Sequence, residues 1–167
     1  MKITLEFLKK FDACWEGLDF VKEKDLIGME AVDFIEKLIE FDKLQWANWL
    51  ITRVLDNIGR ASYAVFAAEQ VLSIFEKKYP GDDRPRKAIE ATKAYIADPC
   101  EENRSAAESA AWSAASAAGS AASAAGRTAW SAQESAASAA WSAIEKKKML
   151  IKIIENGIKI LKEGSNA

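Results

Sequence analysis

Apolar residues recur at helical spacing along the first hundred positions. Phe7, Leu8 and Phe11 open a pattern that Cys14, Trp15, Leu18, Phe20 and Val21 extend. Gly28 breaks it. Met29, Val32, Ile35, Leu38 and Ile39 then form an i, i+3, i+4 series, with Glu30, Asp33, Glu36, Lys37 and Glu40 on the other face. Leu44, Trp46, Trp49, Leu50, Val54 and Leu55 make a third segment, which Asn57 and Gly59 end. A fourth runs from about Arg60 through Tyr63, Phe66, Val71, Leu72, Ile74 and Phe75 until Tyr79-Pro80-Gly81-Asp82-Asp83 stops it. Asp83 then reads as an N-cap with Pro85 in the following turn, and the next helix carries Ile89, Tyr95 and Ile96. Asp98-Pro99-Cys100-Glu101 is a further start signal: Asp98 as cap, Pro99 at the first helical position, Glu101 at the capping-box offset. No segment alternates with period two over a useful length, so the pattern predicts an all-α fold.

From Ser105 to Ala143 the chain becomes mostly alanine and serine, with Glu108, Arg127 and Glu134 its only charges. Alanine is the best helix former, and flexible linkers use glycine with serine instead. At 100° per residue the serines occupy one arc and most alanines the opposite one. Trp112, Gly119, Gly126, Trp130 and Trp141 fall on a narrow strip between the two arcs. Small side chains let helix axes approach closely, which predicts packed antiparallel helices. Gly126 as a C′ residue and Thr128 as the next N-cap divide the tract into helices over about 100–125 and 128–162. Beyond it Ile144, Leu150, Ile151, Ile154, Ile158 and Leu161 continue the apolar stripe, with Lys148, Lys152, Glu155, Lys159 and Lys162 opposite. The expected architecture is a compact bundle of about six or seven helices in a single domain, 1–167. Short amphipathic helices fill 1–98, and an Ala/Ser-rich hairpin over 99–163 packs on them.

Composition narrows the chemistry. The 167 residues include no histidine, which removes the histidine base of a hydrolytic triad, most zinc sites and the usual pH switch. The net charge of −2 gives no global attraction to a nucleic-acid backbone, so DNA is not an expected partner. Cys14 and Cys100 lie far apart with no metal spacing; they read as reduced thiols, at least one of them buried. The opening Met1–Phe7 gains charge at once, which predicts no signal peptide, and no run is long and apolar enough to span a membrane. The cytoplasm is the expected compartment.

No phosphate-loop, dinucleotide, zinc-protease or nucleophile-elbow pattern occurs, and the pairs Glu101-Glu102 and Glu36/Glu40 are ordinary surface carboxylates. The reading is therefore non-enzymatic, with no catalytic residue, metal or cofactor. Trp15, Trp46 and Trp49 sit in apolar patterns and read as core. Trp112, Trp130 and Trp141 stand among small residues, where a ring fills a groove between close helices or projects as an anchor. Arg84, Arg86, Lys87 and Arg104 form a small basic set near two helix starts, suited to an acidic partner or a phosphate. With Arg127, these tryptophans and arginines are the candidate partner- or ligand-binding residues.

Several segments resemble a known family. Phe11-Asp12-Ala13-Cys14-Trp15-Glu16-Gly17-Leu18-Asp19-Phe20 resembles the opening motif of the Imm-five-like immunity proteins of bacteria and phages. Gln45-Trp46-Ala47-Asn48-Trp49-Leu50-Ile51 is similar to that family's aspartate-Trp-x-x-Trp-Leu element, with Gln45 where aspartate is usual. Asp83-Arg84-Pro85-Arg86-Lys87-Ala88-Ile89-Glu90 matches its Arg-Pro-Arg-x-Ala-Ile segment, and an alanine tract follows at the expected place. The likeness runs from about residue 5 to 145. It implies a small protein that neutralises a protein toxin by stoichiometric binding. The alternative is a phage-type sponge for a nucleotide signal, in which tryptophan rings stack on the base and Arg84, Arg86 and Arg104 hold the phosphate. A toxin or host protein is the expected partner, a nucleotide-like ligand the second, and self-association through the alanine face a third.

Overall fold

The computed structural model describes residues 1–110 and 136–164, and these are helical apart from turns and one isolated β-bridge. The helices are α1 Leu5–Lys10, α2 Trp15–Glu23, α3 Ala31–Glu40, α4 Leu44–Val54, α5 Asn57–Lys78 and α6 Arg84–Ala97. They are followed by α7, described over 101–110, and α8, Ala136–Gly164. The fold is all-α, as the periodicity predicts. Both sides of the Ala/Ser tract that are described are helical. The proposed break at Gly126 and Thr128, and with it the hairpin, lies outside the described residues.

The first three helices end by one device. Asp12, Asp25 and Asp42 hold left-handed φ angles of 54°, 52° and 56° one residue beyond the caps Phe11, Lys24 and Phe41. The next N–H in each case donates back five residues, Ala13 to Leu8 O, Leu26 to Val21 O and Lys43 to Leu38 O, at 3.0, 2.9 and 2.7 Å. These are Schellman closures with aspartate where glycine is usual. The closure at Asp12 splits the single apolar segment that the sequence suggests into α1 and α2, giving eight helices among the described residues.

Two other boundaries also differ from the sequence reading. Asn57 and Gly59 begin α5 instead of ending α4, because Asp56 is its cap: Asp56 Oδ1 accepts from Gly59 N–H at 2.6 Å. α7 starts at 101, with Arg104 N–H donating to Cys100 O at 3.0 Å, so Cys100 and not Asp98 holds the cap position and Pro99 lies outside the helix. At α6, Asp83 stands at the cap position but makes no capping bond; its carboxylate pairs with Lys87 at 2.8 Å. Asp82 serves instead, accepting from Arg84 N–H at 3.2 Å.

The chain divides into two compact units, and α5 and α8 contribute residues to both. In the first, Met1–Arg60 and α8 from Leu150 onward enclose Ile3, Phe34, Ile35, Leu50, Ile51 and Ile154, all but fully buried. Each such side chain contributes about 1.5–3 kcal/mol relative to exposure. Ile3 is drawn in by backbone bonding to the α2–α3 turn: its N–H donates to Met29 O at 2.8 Å and its carbonyl accepts from Gly28 N–H at 2.7 Å. Gly28 takes φ +89° within the turn that joins α2 to α3, a conformation glycine adopts without strain.

In the second unit, Ala61–Met149, the buried apolar residues among those described are Tyr63, Val65, Ile89 and Ala107. Glu76 pairs with Arg86 and Glu69 with Lys93, each at 2.6 Å. Seven residues forward on α6 match seven backward on α5, so the two helices run antiparallel around the Tyr79–Asp83 turn. Cys14 is exposed and Cys100 half-buried, both as free thiols. The expectation of a buried thiol is therefore corrected: Cys14 caps α2 at the surface, and Cys100 stands at the head of α7.

Candidate functional site

The two faces of α4 differ. Leu44, Ala47, Leu50 and Ile51 are buried in the core. Gln45, Asn48, Trp49 and Thr52 follow i, i+3, i+4, i+7 spacing and fall on another face, where a cleft of about 540 Å³ opens in the first unit. Its floor is apolar, made by Leu8, Val21, Phe34, Leu38 and Leu50. Trp46 and Trp49 are half-buried along it, Gly17 of α2 contributes bare backbone, and Asp12, Ala13 and Cys14 come from the α1–α2 turn.

Ring and cation contacts fix the tryptophans. The Arg53 guanidinium lies 4.8 Å from the centroid of Trp49, and its Nη1 donates to Trp49 O at 3.3 Å and Thr52 Oγ1 at 2.6 Å. Trp46 meets Phe20 edge-on at 5.3 Å, and Phe20 meets Phe41 likewise at 5.4 Å. Lys43 Nζ sits 4.8 Å from Trp46 and 5.2 Å from Phe20. Contacts of this kind contribute about 0.5–1.5 kcal/mol each and hold α2 beside α4. The cleft thus offers an apolar floor, two aromatic side chains and a polar helix face that ends in a guanidinium. Among the described residues no group of three or more Cys, Asp or Glu is placed to hold a metal ion.

The core assignment of Trp46 and Trp49 is corrected by this geometry, since both are half-buried on the cleft. Trp15 is corrected more strongly: it is 72% exposed. Helical rotation places it about 140° from the α2 face that carries Gly17 and Val21, so it cannot join the core from there. The signal that could have revealed the cleft is the polar stripe Gln45, Asn48 and Thr52 running beside Trp49.

The arginines singled out from the sequence lie elsewhere, in the second unit, each engaged with a carboxylate. Arg84 grips Asp82 with Nε and Nη2 at 2.8 and 2.7 Å. That hydrogen bonding holds the Asp82 carboxyl below its usual range and raises the guanidinium. Arg86 holds Glu76 on α5. Arg104 bonds both Glu101 and Glu108 on α7, which lowers Glu101 and raises Arg104, chiefly through the Glu101 bond. The Arg104 pairs are solvent-exposed and contribute little, whereas Asp82 and Glu76 are part-buried, their side chains 20% and 32% exposed. Trp112, Arg127 and Trp130 lie outside the described residues; Trp141 belongs to α8, its side chain outside the description.

The fold is that of a small all-α protein with an apolar cleft in its first unit. Its particular kinship is shown by a family match over residues 56–144, to the family described as Imm-5 like putative immunity protein, and the chain belongs to that family. The matched stretch contains the Arg84-Pro85-Arg86 segment, whereas the motifs around Cys14 and Trp46, and so the cleft, precede it. No curated protein and no solved structure matches the chain.

Proposed function

We propose that this protein is an immunity-type inhibitor that binds a protein toxin stoichiometrically in the cytoplasm and has no catalysis of its own. Family membership carries this reading. A second feature supports it: Val71 and Ile74, one turn apart on α5 within the matched stretch, are 44% and 59% exposed. Neighbouring exposed aliphatics of this kind suit a protein partner. The recognition surface in this reading combines them with Arg84, Arg86 and Arg104, and with Trp112, Arg127, Trp130 and Trp141. Tryptophan and arginine are the favoured anchors of interfaces.

Co-expression with a panel of protein toxins, beginning with any encoded next to it, tests the proposal. The expected result is restored growth with one toxin and a stable complex of the two purified chains. Val71→Asp with Ile74→Asp should weaken that complex while helical content is kept. If no toxin is neutralised and no complex forms with any of them, the reading fails.

A further inference from the structure

We infer that the cleft beside α4 is a binding site for a small apolar monocarboxylate. The inference is independent of toxin binding, because every residue that lines the cleft precedes the family-matched stretch.

Size comes first. About 540 Å³ lies within the range of small-molecule sites and exceeds what one protruding side chain would fill. The floor of leucines, Val21 and Phe34 calls for an apolar body, and Trp46 and Trp49 give flat surfaces for a ring or an alkyl chain.

Charge comes from Arg53. Unlike Arg84, Arg86 and Arg104, it has no carboxylate partner among the described residues. It is half-buried and stacked on Trp49, and Nη1 makes both of its intramolecular bonds, leaving the Nε and Nη2 donors for a ligand. A guanidinium so positioned matches a carboxylate's two oxygens, and Gln45, Asn48 and Thr52 lie on the same helix face. Asp12, from the α1–α2 turn, lines the same cleft, so a ligand with one carboxylate meets less repulsion there than one with two.

Gly17 is the third observation. A glycine inside a helix costs about 1 kcal/mol relative to alanine. A Cβ built there would press on Cys14 Sγ at 3.3 Å, a tight contact with an exposed thiol that can turn aside, so no buried core neighbour demands the glycine. What its missing side chain leaves open is the cleft, and a leucine at 17 would fill that space.

The test uses the full chain with 4-phenylbutyrate and decanoate as probes, followed by the Gly17 amide and the Trp46 and Trp49 indole N–H signals in NMR. At least one probe should shift these signals saturably, with Kd below about 1 mM. The uncharged 4-phenylbutanol should bind at least about tenfold more weakly than its acid, and Arg53→Gln should lose a similar factor for the acid alone. Gly17→Leu should abolish binding while helical content is kept. No shift at the cleft with either acid, equal binding of acid and alcohol, or full binding to Gly17→Leu would each overturn the assignment. The acid–alcohol comparison on the unaltered protein decides the matter if a variant does not fold. Neutralisation of toxin by Gly17→Leu should be unchanged, which keeps this inference separate from the one above.

Discussion

Gly59, in the first turn of α5, lies against Ile160 of α8: a Cβ at Gly59 would stand 3.4 Å from Ile160 Cγ2 and 3.0 Å from Leu55 Cδ2. Leu55 is buried, and Asp56, also 3.0 Å from that position, is occupied in capping Gly59. Substitution must therefore push on core and cap together. At an exposed helical site alanine would gain about 1 kcal/mol over glycine. Here the order reverses. Gly59→Ala should lose stability, and Gly59→Val should lose about 2–3 kcal/mol, by overpacking added to poorer helix propensity. Urea unfolding of the three proteins checks this; an alanine variant more stable than the parent would refute the close approach.

The left-handed aspartates predict the opposite response to glycine. Asp25 holds φ 52° while Leu26 N–H returns to Val21 O, with both of those side chains buried. An L-residue in this conformation is strained and glycine is not. Asp25→Gly should raise stability by about 0.5–1 kcal/mol, and Asp25→Val should lower it by at least that much. Chemical denaturation of the pair gives the sign directly.

These two positions also show what the sequence could and could not disclose. The face of α3 was legible because Ile35 and Leu38 repeat at helical spacing and both prove buried, although Phe34, almost fully enclosed, stood outside the periodic series. The end of α5 at Lys78 and the start of α6 at Arg84 were legible from Tyr79-Pro80-Gly81-Asp82-Asp83 and Pro85, whereas the ends of α1, α2 and α3 were not, because aspartates close them. Gly59 looks like a helix end in sequence but serves close packing, and Asp12, Asp25 and Asp42 look like surface charges although they do a glycine's work. A one-dimensional pattern carries apolar spacing and does not carry backbone handedness or space. The same limit hid the cleft: Trp46 and Trp49 fit an apolar period equally well as core or as cleft residues. Only the polar stripe of Gln45, Asn48 and Thr52 beside them distinguishes the two. Arg84, Arg86 and Arg104 were legible as separate charges. Their partners were not, since Glu76 lies ten residues from Arg86 in sequence and meets it only through the α5–α6 turn.

That turn is tied by exposed ion pairs, whose strength should be small and salt-dependent. A double-mutant cycle with Glu69→Ala and Lys93→Ala should give a coupling of about 0.2–1 kcal/mol at low ionic strength. It should shrink toward zero near 1 M salt, where the screening length falls to about 3 Å. Coupling that survives high salt would mean the pair is better shielded from water than its 55% and 39% side-chain exposure indicates.

Tyr63 makes the protein sensitive to alkali. Its side chain is buried on α5, and burial, by penalising the phenolate, pushes its pKa up to about 12 from an ordinary value near 10. Below about pH 10 the phenol is protonated in both folded and unfolded chains and contributes no slope. Between the two values the unfolded chain has released the proton that the folded chain still keeps. The unfolded state then binds fewer protons, so stability falls as pH rises through that window and levels off once the folded phenol also ionises. Urea midpoints measured from about pH 8 to pH 11.5 should fall above pH 10, and Tyr63→Phe should flatten that fall while leaving the profile below pH 10 parallel to the parent. A parent and variant with the same alkaline slope would show that another group governs it.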